Sequence, residues 1–188
     1  MRNLKAFSLP LLLALTTAMG MKATSCKELN INRYHRTSLT QARADQITID
    51  MTNILRTVDG PGDVFCDIAF VRGSMTTFTT GDGSIDTQAE LNAVFNLPGR
   101  VKVVNRINFC EGRIDPSFIG CGQTPGNSFI MERSTSSSCP EREGILWVHE
   151  YGHNKGLPHR NQSYAVMHQT FNCNHRRINS TESQAYLR

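Results

Sequence analysis

The chain has 188 residues, with 20 Lys and Arg against 16 Asp and Glu and a formal net charge of +4. Hydrophobic residues make up 39% and charged residues 19%, which suits one globular domain with a packed core rather than a disordered chain. The positive excess is mild and scattered, so nothing here resembles a nucleic-acid-binding stripe, and no nucleic-acid partner is expected.

The first twenty residues differ from the rest. Arg2 and Lys5 precede "AFSLPLLLAL", an apolar run shorter than the roughly 20 residues needed to span a bilayer. Small residues follow in "TTAMG", so residues 1–20 read as a secretory signal peptide cleaved after Gly20. Its removal leaves 168 residues with a net charge of +2 and no stretch apolar enough for a membrane span. A secreted monomer is expected, with a periplasmic protein or a lipid anchor at Cys26 as the alternative.

All six cysteines (Cys26, Cys66, Cys110, Cys121, Cys139 and Cys173) follow that segment. An even count in an oxidising compartment predicts three disulfides and no free thiol. None forms a CxxC pair, which argues against a thiolate zinc site. Cys110 and Cys121 bracket a loop with Gly112, Pro116 and Gly120 and are the favoured local pair; the other pairings stay open.

In chain order, residues 21–37 are polar and irregular, an N-terminal arm or a short pro-segment before a domain over 38–188. "SLTQARADQITIDMTNILRTVDG" carries apolar residues at mostly helical spacing, capped at Ser38 or Thr40 and stopped by Gly60 and Pro61. "DVFCDIAFVRG" and "SMTTFTT" predict two strands. Asp86 is expected to cap a short helix, "TQAELNAVF". "RVKVVNRINFC" predicts a third strand and "NSFIMER" a fourth. Glu141 and Glu143 suit the first turn of a helix that runs through "ILWVHEYGHNK" to Gly156. Asn179 with Glu182 marks the start of a closing helix. The order predicts an α/β (α+β) domain with a small mixed sheet, backing helices and a C-terminal helix.

The chemistry concentrates in "HEYGHNKGLPH", His149 to His159, which holds three of the six histidines. On a helix, residues four apart share a face, so His149 and His153 point at one place. Gly156 lets the backbone turn through a positive φ, and His159 can return as a third ligand. Three neutral imidazoles leave a fourth zinc position open, the pattern of a catalytic site. Glu150 projects beside them and can move a proton.

HExxHxxGxxH resembles the zinc motif of the metzincin endopeptidases, and "SYAVMH" supports the resemblance. Met167 falls eight residues after His159, a spacing similar to that of the matrixins. The resemblance implies a metzincin-like catalytic domain with an active-site helix and a Met-turn at Met167 beneath one catalytic zinc. It also implies Glu150 as general base, an extended polypeptide substrate along "NSFIMER" as edge strand, and "HQTFNC" as a pocket wall. The tyrosine two residues after the methionine in some members is Gln169 here, and the matrixin PRCG latency segment is absent. The implied activity is secreted zinc endopeptidase; the alternative is a secreted zinc-containing binding protein, a toxin subunit or inhibitor, without hydrolysis. Tyr164 and His168 are candidate cleft residues. "GDGSID" offers a weak calcium-loop pattern that reads more simply as a turn before a helix cap. Asn161 and Asn179 open acceptor sequons.

Overall fold

The computed structural model describes residues 25–188, so the leader expected over 1–20 lies outside them. Strand β1 (Ser25–Tyr34) leads into helix α1 (Gln41–Arg56), strands β2 (Ile68–Phe78) and β3 (Ser84–Ile85), and helix α2 (Gln88–Phe95). Six short strands follow: β4 (Val101–Val104), β5 (Arg106–Ile107), β6 (Phe109–Cys110), β7 (Arg113–Ile114), β8 (Gly120–Gly122) and β9 (Phe129–Glu132). Helices α3 (Arg142–Asn154) and α4 (Ser180–Leu187) complete the order.

The main sheet runs β2-β1-β4-β9-β8. Its first four strands are parallel, and β8 pairs antiparallel with β9. Leu29, Ile31, Val101, Val103, Phe129 and Met131 pack from this sheet against Ile47 and Met51 of α1 and Trp147, Val148 and Tyr151 of α3. A second cluster joins Val104 and Ile130 to Ile85, Leu91 and Val94 around α2. Among the described residues no helix is long and apolar enough to cross a membrane.

Residues 25–34, expected to be irregular, form the ten-residue strand β1 between β2 and β4. Leu29 and Ile31 bury its inner face, but the Lys, Glu, Asn and Arg around them hide the alternation. The two strands expected over 63–80 are one, β2, with a bulge opposite Asn30. Gly73, the last residue of the first expected strand, lies inside β2; a Cβ there would lie 2.4 Å from both Asn30 Oδ1 and Glu28 Oε1, so its lack of a side chain leaves room for them at the bulge. Asn30 Oδ1 instead accepts from the Ser74 N–H and hydroxyl, both at 2.8 Å.

The strand expected over 100–110 breaks after Val104, because β5 leaves the sheet to pair with β3. The cap of α2 is Thr87, in a capping box with Glu90, rather than Asp86. "NSFIMER" forms β9 but is not an edge: β8, hidden in the cysteine-bracketed loop, covers it and is itself the edge. A three-residue strand with two glycines carries no periodic signal.

Two disulfides form, Cys110–Cys121 and Cys139–Cys173. The expected third does not. Cys26 is exposed beside Ala69, whereas Cys66 is fully buried with its Sγ 3.6 Å from the Ser183 carbonyl oxygen, so the two thiols face different surroundings.

Candidate metal centre

Helix α3 carries the site and is anchored at its start. Buried Glu143 accepts from Arg43 Nε at 2.8 Å and pairs with Arg133, tying the first turn to α1 and to the segment after β9. At its far end Gly156 takes φ +79°, and the chain turns back with Leu157 N–H donating to the Gly152 carbonyl at 3.1 Å. The returning segment is clamped by Arg160, whose Nε and Nη2 reach both carboxylate oxygens of Glu182 at 2.7 and 2.8 Å. That clamp places His159.

His149 Nδ1 lies 2.8 Å from the Val166 carbonyl oxygen, and His153 Nδ1 lies 2.9 Å from that of Leu157. A carbonyl only accepts, so each Nδ1 carries the hydrogen and each Nε2 presents a lone pair. Those two Nε2 atoms are 3.1 Å apart, a separation at which facing lone pairs repel unless a cation lies between them. The His159 ring completes the group, with its centroid 5.3 Å from that of His149 and 4.8 Å from that of His153. The three donor nitrogens lie within 4.8 Å of one another, and among the described residues they form the group able to share a metal ion.

Burial, with the His153 charge adding, pushes His149 down to about 3; burial lowers His153 and His159 as well. All three are held neutral, the form that ligates a metal. A tetrahedral ion with bonds of about 2.0–2.1 Å spaces its ligands roughly 3.3 Å apart, so the 3.1 Å separation and the all-imidazole donor set fit zinc.

Glu150 is buried against β8. A Cβ on Gly120 would lie 2.3 Å from its Oε1, and one on Gly122 would lie 2.9 Å from its Oε2. The carboxylate therefore occupies space that only glycine leaves. Burial pushes Glu150 up to about 8, the charge of Glu111 adds to that, and a backbone hydrogen bond from Gly122 opposes it.

Met167 is fully buried, and its Sδ accepts from Tyr186 Oη at 3.4 Å. A Cβ on Gly152 would lie 2.4 Å from that sulfur, so the methionine packs directly under the helix between the two histidine turns.

The histidines and Glu150 open onto a cleft of about 600 Å³. His168, Gln169, Thr170 and Phe171 form one stretch of its wall, and Glu111, Arg113, Asp115 and Phe118 line it as well. His168 Nδ1 accepts the Thr170 N–H at 3.1 Å, which leaves its hydrogen on Nε2 as a donor. Tyr164 is absent from the lining; it adopts φ +70° and packs under Arg177, 4.5 Å from its ring. Asp82, in the weak calcium-loop pattern, accepts the Ser84 N–H at 2.8 Å.

No protein-family model matches the sequence, and no curated protein matches it. Solved structures do. Archaemetzincin from Methanopyrus kandleri superposes with TM-score 0.58 at 14% identity, over 87% of this chain and 94% of that one. The chain adopts an archaemetzincin-like fold. Archaemetzincin from Archaeoglobus fulgidus is similar too, with TM-score 0.52 and 15% identity over 85% of this chain and 99% of that one. Metalloproteinase-II from Bacteroides fragilis gives TM-score 0.58 at 12% identity, over 88% of this chain but 53% of its own.

Sequence reasoning missed Gly120 and Gly122, and it missed Glu111 and Arg142 at the cleft. The G-x-G of "GCG" was the available signal, since two glycines one residue apart on a strand share a face and leave it open to a neighbour. Gly120→Ala is expected to displace the Glu150 carboxyl and lower the rate of any Glu150-dependent reaction about 10-fold or more, with bound metal unchanged. Parallel assays of turnover and metal content check this; loss of metal would place the damage at the histidines instead.

Proposed function

We propose that this chain is a secreted, zinc-dependent endopeptidase that hydrolyses peptide bonds in extracellular proteins. The observation that carries the reading is the facing pair of His149 and His153 Nε2 lone pairs, 3.1 Å apart beside His159 and the buried Glu150. His149, His153 and His159 hold the ion, and Met167, placed as in the matrixin-like spacing, floors the site. Zinc bound there acidifies a water and polarises a carbonyl oxygen.

The chain's own groups do the rest. Glu150 takes a proton from the attacking water and returns it to the leaving nitrogen. His168 donates Nε2–H to the carbonyl oxygen as charge develops there. The free edge of β8 offers backbone groups to an extended substrate strand, and Gly120 and Gly122 keep Glu150 against that edge. The two disulfides suit an oxidising compartment.

The test is incubation of the purified chain with a mixed peptide library, with chelator and with zinc added back. Cleavage within peptides that stops with chelator and returns with zinc is expected. Stoichiometric zinc without any cleavage would favour the binding-protein alternative.

A further inference from the structure

We infer that Arg142 sets the specificity of the cleft by selecting a glutamate side chain directly after the bond that is cut; this rests on the peptidase reading above. Arg142, Ile145, Leu146 and His149 recur at spacings of three, one and three, so they share one face of α3, and all four line the cleft. Arg142 lies two helical turns from His149, about 10.5 Å along the axis. Between them the cleft is walled by Ile145, Leu146, Val166 and Phe171.

The guanidinium at the end of this apolar passage is held but not neutralised. Its Nε donates to Ser134 Oγ at 2.7 Å, and its plane sits 4.2 Å over the Phe171 ring. Both neighbouring carboxylates are engaged elsewhere, Glu141 by Arg176 and Glu143 by Arg43 and Arg133. Among the described residues no carboxylate comes within 4.0 Å of Arg142, and its two Nη groups have no hydrogen-bond partner. A fork fixed at Nε and on one face has lost most of its freedom before a ligand arrives, and its remaining donors match a carboxylate in bidentate geometry. The apolar passage calls for methylenes before the charge, which favours glutamate over aspartate. Glu111 and Asp115 also line the cleft, but Arg113 lies 4.0 Å from each, so the acidic groups there have a cation of their own and, among the described residues, Arg142 is the cleft guanidinium without a carboxylate partner.

Two peptides that differ only by Glu or Gln after the scissile bond test this. The wild-type chain is expected to cleave the Glu peptide with kcat/KM roughly 10- to 100-fold above the Gln peptide, the range for a charge-assisted pair. Arg142→Met should bring that ratio close to one, and Arg142→Glu should shift preference to a Lys peptide; a purely structural role would slow all peptides alike. The same peptides, fluorescently labelled, are titrated by anisotropy against zinc-loaded Glu150→Gln protein. Cleavage with no Glu preference overturns the inference and leaves the peptidase reading standing. Glu-selective binding with no wild-type cleavage overturns the peptidase reading and keeps the role of Arg142. Neither cleavage nor selective binding overturns both.

Discussion

Replacing Glu150 with glutamine is expected to lower kcat/KM for peptide hydrolysis by about 10²- to 10⁴-fold, the usual contribution of a positioned general base, while zinc stays bound. The amide has nearly the same shape and can still accept the Gly122 hydrogen bond, so the pocket formed by the two β8 glycines stays filled. Metal analysis alongside turnover checks it, and near wild-type turnover would remove Glu150 from the mechanism. The same variant has a second signature in the metal-free chain. Burial raises the folded Glu150 carboxyl to about 8 from the ordinary 4.5, so the unfolded chain releases this proton first as pH rises. Its contribution to stability is therefore constant below about pH 4.5, falls progressively toward pH 8, and levels off above that. The histidines act oppositely below pH 6.5, where their lowered affinity for protons makes acid destabilising. Comparing wild type with Glu150→Gln cancels the histidine contribution. The variant should gain on the order of 3 kcal/mol between pH 4.5 and 7, read from chemical denaturation of chelated protein. A difference that does not change with pH would show that the carboxyl is not desolvated.

The disulfide Cys139–Cys173 gives the second large effect. Its ends lie 34 residues apart and enclose α3, all three histidines, Met167 and the cleft wall from His168 to Phe171. A double Cys139→Ser, Cys173→Ser variant is expected to lose about 3 kcal/mol through the freed unfolded chain. Activity should fall before the fold does, because Phe171 and His168 lose their tether while the sheet keeps its own core. Thermal denaturation and turnover measured across the same temperatures test the order. Coincident loss of both would mean that the wall is fixed by packing alone.

What could be read in the sequence was local. Thr40, and Asn179 with Glu182, cap helices through hydrogen bonds three residues long, and such pairs show in the chain itself; the box of Thr87 with Glu90 is as local, but the neighbouring Asp86 drew the reading one residue early. His149, His153 and His159 are equally local, since one helix and one glycine turn bring them together. What escaped was set by partners distant in sequence. β1 has too few apolar residues to announce itself, and its place comes from lying between β2 and β4. Gly73 ends nothing because Asn30 stands opposite it, and β8 exists because β9 offers it an edge. Cys26 and Cys66 could be counted, but their different exposure could not.

The central position of β1 governs how the molecule assembles. The strand nearest the chain's start finds one neighbour only after α1 and the other only after α2 has been made, and β4 must then wait for β9. Helices α1 and α3 can form within microseconds, but each parallel pairing closes a long loop first, which sets the pace of folding. The histidine cluster is short in sequence and quick to gather. Glu150 reaches its place against Gly120 and Gly122 only when the edge strand β8 docks beside it. The histidine group and the carboxylate beside it are therefore completed by different steps, one local to a helix and its turn and one that waits for the edge of the sheet.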